Sequence, residues 1–493
     1  MMRRFSSILA LLILMSAVSG CTAEPVETNA TETVAITPET ETAEETEPEL
    51  APDLPDVTYD GTDFRLHAWN IEGWHTYEDL SVEDPDKDQL TYSVYKRNIA
   101  IEEKYDVKID VHFELYDTFT PSILQSVKAN EDFADIVLDM VLISKYQMMQ
   151  GPYKNIHNID YLNLDAPWYD QNSVTQLSVN GYLPYVTTAA TLNDKVALFC
   201  TFYNLTLAEN LGITENIYDI VNEGKWTQDK MLELGNLAVS DVNGNGVADI
   251  ETDRFGALGN VSAVTAIFAA GGNGYVGKDE NGELVPIFYN EQSVNTLVNF
   301  LDKIMLREDF FANTSVKAYD HIALFANDRA LCFIQGLSLV EKLREMESTF
   351  AIIPVPKYNE EQSNYYAAVD VFTSYLSAFP ITLDDAGTEK AAILWEALSY
   401  ESYKSVLPVF YDTVLDNKIV RDEQTKEMLD LLFNNIAYDI GQVYNVVELP
   451  DQLMYITNSD IASFYKRFER SFVSGIESIS KNCAKFAARE MEE

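Results

Sequence analysis

The residues whose types and spacing most directly suggest chemistry lie in Asp241-Val242-Asn243-Gly244-Asn245-Gly246-Val247-Ala248-Asp249. This stretch sets oxygen side chains at positions 1, 3, 5 and 9 of a calcium loop, with the turn glycine at position 6. Hard oxygen donors at alternating positions can converge on one ion. Asp241, Asn243, Asn245, Val247, Asp249 and Asp253 are therefore a candidate structural Ca2+ set, in which Asp253 serves if the loop holds one extra residue. Position 12, where a bidentate Glu is usual, is Thr252, and two Asn ligands lower the charge. The alternative is an Asx- and Gly-rich turn that keeps its shape without metal.

Catalytic patterns are otherwise absent: there is no GxSxG elbow, HExxH, GxxxxGK[ST] phosphate loop or Rossmann fingerprint. The histidines His67, His75, His112, His157 and His321 each stand alone in sequence with no paired spacing. A carboxylate pair for glycoside hydrolysis stays open in so acidic a chain, but the expectation is a binding protein and not an enzyme.

The elements that would position these residues begin after an N-terminal segment of a different kind. Met1-Met2-Arg3-Arg4 followed by the apolar run Phe5 to Val18 reads as a signal peptide, too short to span a bilayer as a mature helix. Val18-Ser19-Gly20-Cys21 resembles a lipobox, which makes Cys21 the expected lipidated residue and residues 1–20 the signal. Residues 21–60, rich in Thr, Glu and Pro and without Lys or Arg, read as a disordered acidic stalk. With the two signal arginines and the twelve stalk acids set aside, the net charge of −45 becomes −35 for residues 61–493. A body of that sign argues against nucleic acid as a partner.

A strand at Phe64 to Trp69, a helix near Thr91 to Lys104 and the alternating run Val107 to Phe113 give a β-α-β order. The stretch Ala134 to Leu138 adds a strand, so the first part reads as a parallel-rich sheet with crossover helices. From Ala197 onward the pattern turns helical, with Thr227 as an N-cap and Val294, Leu297, Val298, Leu301, Ile304 and Met305 as an apolar stripe. Strand-like runs near Leu331, Phe350 and Tyr366 suggest that the chain crosses back there. Cys200, Cys332 and Cys483 stand far apart in apolar stretches and read as buried free thiols.

Several short segments in order resemble the extracellular solute-binding proteins of family 1 in their lipoprotein form. They are Tyr95-Lys96-Arg97-Asn98 with Glu102 to Val107, Phe202-Tyr203-Asn204 with Ala208 to Ile213, Glu223-Gly224-Lys225-Trp226-Thr227, Asp253-Arg254-Phe255-Gly256, Pro354 to Tyr358, and Tyr438-Asp439-Ile440-Gly441. The resemblance covers most of residues 62–480. It implies an α/β, two-lobed periplasmic-binding-protein-like fold with discontinuous lobes and a central ligand cleft. Lobe 1 would be 61–187 with 316–376, and lobe 2 would be 188–315 with 377–493.

It further implies capture of a carbohydrate, delivered to ABC permease subunits served by a separate ATPase, by a monomer held at the extracellular face of the membrane through its lipid. A peptide-binding protein, a surface glycan hydrolase or lyase, and an adhesin are the competing readings. In open α/β sheets the crevice lies outside the carboxyl ends of the strands. That rule nominates Asn70, Trp74, Asp139, Met140, Tyr203, Gln335 and Asp370 as ligand contacts. Trp226 and Trp395 read as packing, and Trp168 as either a cleft residue or a loop staple.

Overall fold

In the computed structural model, residues 50–70, 78–141, 148–315, 321–371, 374–415 and 423–489 are described. The signal segment, Cys21, most of the stalk and Trp74 lie outside them. Residues Ala51 to Glu493 form one compact unit, so the ordered body starts ten residues before the expected boundary at 61. The reason is local: Leu54, Val57 and Tyr59 pack against the core, and the Tyr59 N–H donates to the Tyr105 carbonyl at 2.9 Å.

The first sheet has the order β12-β3-β1-β2. Its members are β1 (Thr62–Asn70), β2 (Val107–Leu115), β3 (Ile136–Met140) and β12 (Tyr375–Ala378). Strand β1 is parallel to both β2 and β3, and β12 closes antiparallel on β3. Helix α1 (Gln89–Tyr105) makes the first crossover. It starts because Asp88 and Thr91 form a reciprocal capping box, and it buries Leu90, Val94, Arg97, Ile101 and Tyr105 along one face. Helix α2 (Tyr116–Ala129) makes the second.

The second sheet has the order β10-β4-β9-β5-β8. These strands are β4 (Phe199–Asn204), β5 (Phe255–Gly259), β8 (Phe311–Asn313), β9 (Ala330–Gly336) and β10 (Phe350–Ile353). Strands β9 and β10 pair with β4 and β5, which corrects the expected return of residues 316–376 to the first lobe. The return comes at β12 instead. Periodicity marks a buried strand but carries no information about which sheet takes it. Smaller pairs are the antiparallel hairpin β6 (Val276–Lys278) with β7 (Leu284–Pro286), and the parallel pair β11 (Ala367–Ala368) with β13 (Ile436–Ala437).

Five further helices matter below: α3 (Gln171–Leu177), α4 (Ala263–Ala270), α5 (Asp385–Glu401), α6 (Ile440–Val443) and α7 (Glu469–Arg489). The apolar residues Phe472, Ile476, Ile479, Cys483 and Phe486 of α7 are buried, and Cys200, Cys332 and Cys483 are buried free thiols, as expected. Trp168 is a staple and not a cleft residue. It is buried, donates its indole N–H to Glu396 of α5 at 3.0 Å, and shares that carboxylate with the Tyr169 hydroxyl at 2.6 Å. No described helix is long and apolar enough to cross a membrane.

Buried acids give the fold a measurable pH dependence. Burial pushes the Asp79 carboxyl up from 3.8 to about 6, opposed by the Leu192 N–H and the Arg97 charge. A carboxyl raised in this way binds its proton more tightly when folded, so its contribution is fully present below about pH 4 and is lost as pH rises through 6. Between pH 5 and 7 the wild type should therefore lose about 1 kcal/mol more stability than Asp79→Asn. The comparison cancels His67 and His157, which burial holds below their ordinary value and which titrate in the opposite sense. Denaturant titrations of both proteins at the two pH values check this, and parallel losses would refute it.

Candidate functional site

The walls of the candidate groove are built from short elements that each bring one or two side chains. Helix α3 brings Gln176, α4 brings Phe268, the β6/β7 hairpin brings Lys278, and Tyr275 precedes it. Tyr366 comes just before β11, and Tyr438, Asp439 and Gln442 follow β13. Together they enclose about 410 Å³, within the range of small-molecule sites.

The lining is cross-tied. The Tyr438 N–H donates to the Gln176 side-chain oxygen at 2.7 Å, Lys278 Nζ donates to the Thr175 carbonyl at 2.9 Å, and the Tyr438 and Thr187 hydroxyls lie 2.9 Å apart. Asp439 caps α6 by accepting from Gln442 N at 3.1 Å, and its other oxygen accepts the Tyr275 N–H at 2.7 Å. Burial pushes the Asp439 carboxyl up to about 6 against those backbone donors. The run Gly271-Gly272-Asn273-Gly274 makes the close approach possible, because a side chain on Gly274 would run into the Asp439 carboxylate.

A smaller pocket lined by Phe199, Asp370, Asn445 and Asp451 shares the wall residues Thr265 and Gln442 with the groove. Two buried polar atoms in these walls have no hydrogen-bond partner among the described residues, the Tyr275 hydroxyl and the Asn445 side-chain oxygen. Tyr275 sits in an aromatic cluster, stacked on Phe288 at 5.6 Å. Tyr366 is half-buried and lies against Gly272, leaving part of its ring toward the groove. An aromatic face beside the Gln176, Lys278 and Gln442 side chains suits a ligand with both C–H and hydroxyl surfaces.

No family model matches this chain, and no curated protein matches it. Solved structures do match in fold. A cyclo/maltodextrin-binding protein complexed with maltotetraose aligns with a TM-score of 0.52 at 14% identity, over 87% of this chain and 98% of that one. The fold is that of the extracellular solute-binding proteins. A family 1 extracellular solute-binding protein from Bifidobacterium longum subsp. infantis aligns at 0.51 and 12% identity over 87% of this chain and 100% of that one. The maltose-binding periplasmic protein MalE from Listeria monocytogenes, in complex with maltose, gives 0.50 and 13% over 87% and 99%.

Among the nominated contacts, Asp370 lines the smaller pocket beside the groove. It follows the carboxyl end of β11 as Asp439 follows that of β13. Asn70 is half-buried at the carboxyl end of β1, beside residues outside the description. Gln335 is buried opposite Cys200 in β9 and accepts the Gly336 N–H.

Tyr203 is at the other end of that antiparallel pair, opposite Cys332, buried edge-on to Trp226. About 10 Å of strand separates the two positions, so they do not share a crevice. Asp139 and Met140 are fully buried, and Asp139 accepts from the Tyr153 and Tyr185 hydroxyls at 3.1 and 2.6 Å. Tyr203, Asp139 and Met140 are thus core residues and not ligand contacts. The nominations passed over Tyr275, Tyr366, Tyr438 and Asp439. The signal that could have found them is the glycine run at 271–274, where bare backbone must approach something closely.

The calcium loop closes on its own amides. Asp241 accepts from Gly244, Asn245 and Gly246, Asn243 from Asn245, Asn245 from Val247, and Asp249 from Glu251. Asp253 spends both oxygens on the Val242 and Asp249 N–H groups. The loop thus holds its shape through its own amides, and no step of the account runs through an ion. Addition of Ca2+ or of a chelator should leave the unfolding midpoint unchanged, and a saturable rise with Ca2+ would contradict that.

Proposed function

We propose that this protein is an extracellular solute-binding protein that captures a carbohydrate in the Tyr275–Asp439 groove and passes it to an ABC importer with a separate ATPase. The groove carries the reading: an aromatic wall from Tyr366 and Tyr275 stands beside the Gln176, Lys278 and Gln442 side chains, in a space the size of a small saccharide. The solved relatives were crystallised with maltotetraose and maltose, which supports a sugar of that general kind. In this reading Cys21 carries the lipid that tethers a monomer at the outer face of the membrane, and the acidic segment up to Leu50 is its spacer.

Binding without turnover is what separates this reading from a hydrolase. A thermal-unfolding screen of the Ala51–Glu493 unit against oligosaccharides and peptides tests it. A ligand at about a hundred times its Kd adds roughly 2.7 kcal/mol. A saturable shift with one saccharide class, recovered intact, supports the proposal. A shift with peptides alone, or cleavage of the saccharide, refutes it.

A further inference from the structure

Away from the groove, three ligand-type side chains meet on one face of the first sheet. The parallel register sets His67 of β1 beside His112 of β2, and Glu114, two residues along, shares that face. His67 Nε2 lies 2.9 Å from Glu114 Oε2. One nitrogen from each imidazole and one carboxylate oxygen fall within 4.8 Å of one another, the one such set of His, Cys, Asp and Glu donors among the described residues.

The surroundings are those of a held site. Phe119 and Phe133 pack edge-on against His67 at 5.1 and 6.0 Å, while His112 is open to solvent. Thr118 and Ser122 of α2 stand beside the Glu114 carboxylate, where outer partners orient a metal ligand. A His–Glu hydrogen bond alone accounts for His67 and Glu114. It does not account for a second imidazole 5.0 Å away, centroid to centroid, with a nitrogen inside the same 4.8 Å set.

We propose that His67, His112 and Glu114 bind a divalent transition-metal ion of the zinc class, which ties β1 to the edge strand β2 and leaves a position open to solvent. Two imidazoles and a carboxylate suit zinc and its neighbours, whereas calcium and magnesium take all-oxygen sets. Donors on one zinc, each at about 2.0–2.1 Å, lie roughly 3.4 Å apart, and the exposed His112 ring is the one free to rotate inward.

Titration of the full chain with ZnCl2, in excess CaCl2 to occupy the acidic surface, tests the site by calorimetry. The expected result is one saturating equivalent, weakened more than about 100-fold in His112→Ala. Co2+ should give a visible absorption band that the substitution diminishes. His112 is exposed, so its loss leaves the core intact. Unchanged zinc affinity in His112→Ala and Glu114→Gln, or a titration with no saturating first equivalent, overturns the proposal.

Discussion

Replacing Arg97 by alanine is expected to lower stability by about 3–5 kcal/mol, the cost of breaking a buried charged network by removing one partner. Arg97 is 2% exposed. From α1 its guanidinium donates to the Asp79 carbonyl at 2.8 Å, the Ala190 carbonyl at 3.0 Å, the Ser402 hydroxyl at 2.9 Å and the Asn98 side chain. One side chain thus joins the approach to α1, the segment before Leu192 and the turn after α5.

Burial pulls the guanidinium down to about 10, with Asp79 opposing, so it remains charged at neutral pH. Lysine should not rescue the variant, because a single ammonium cannot reproduce the planar fork across three segments. Since whole domains are stable by only about 5–15 kcal/mol, the denaturant midpoint should fall sharply in both variants. A shift in Arg97→Ala no larger than that of a surface substitution would show that the network is dispensable.

The second large effect is on binding. Tyr366→Ala should weaken saccharide affinity about 30-fold while leaving the unfolding midpoint of the free protein nearly unchanged. Tyr366 is half-buried at the groove and donates no hydrogen bond on which the fold relies among the described contacts. Truncating a central aromatic anchor typically costs about 2 kcal/mol or more, and 1.4 kcal/mol is tenfold in Kd. Calorimetry on wild type and variant with the same saccharide measures this. Equal affinities would move the binding site away from the groove.

How far the sequence reveals these features depends on whether the information is local. Strand β1, helix α1 and strand β2 are legible because alternation, a 3.6-residue stripe and an Asp–Thr cap are all written within a few residues. Thr227 as an N-cap and the Phe472 to Phe486 stripe are legible for the same reason. Arg97 stands inside a segment that resembles solute-binding proteins, yet its role depends on Ala190 and Ser402, which are remote in sequence.

The failures are all of long-range pairing. His67 and His112 look solitary until a parallel register sets them side by side. Tyr203 and Gln335 both follow strand-like runs, but an antiparallel register puts them at opposite ends. Asp139 follows the strand rule and is then sealed by two tyrosines from the next segment. Trp168 finds Glu396 only because α5 packs over its loop.

Native mass spectrometry of the Ala51–Glu493 unit with a mixed pool of maltooligosaccharides tests the central claim most directly, because it reads stoichiometry and ligand mass together. The account predicts one saccharide of unaltered mass per protein monomer, with occupancy reduced in Tyr366→Ala. Protein without adduct across the pool, adducts equally abundant in the variant, or the appearance of shortened saccharides would contradict it.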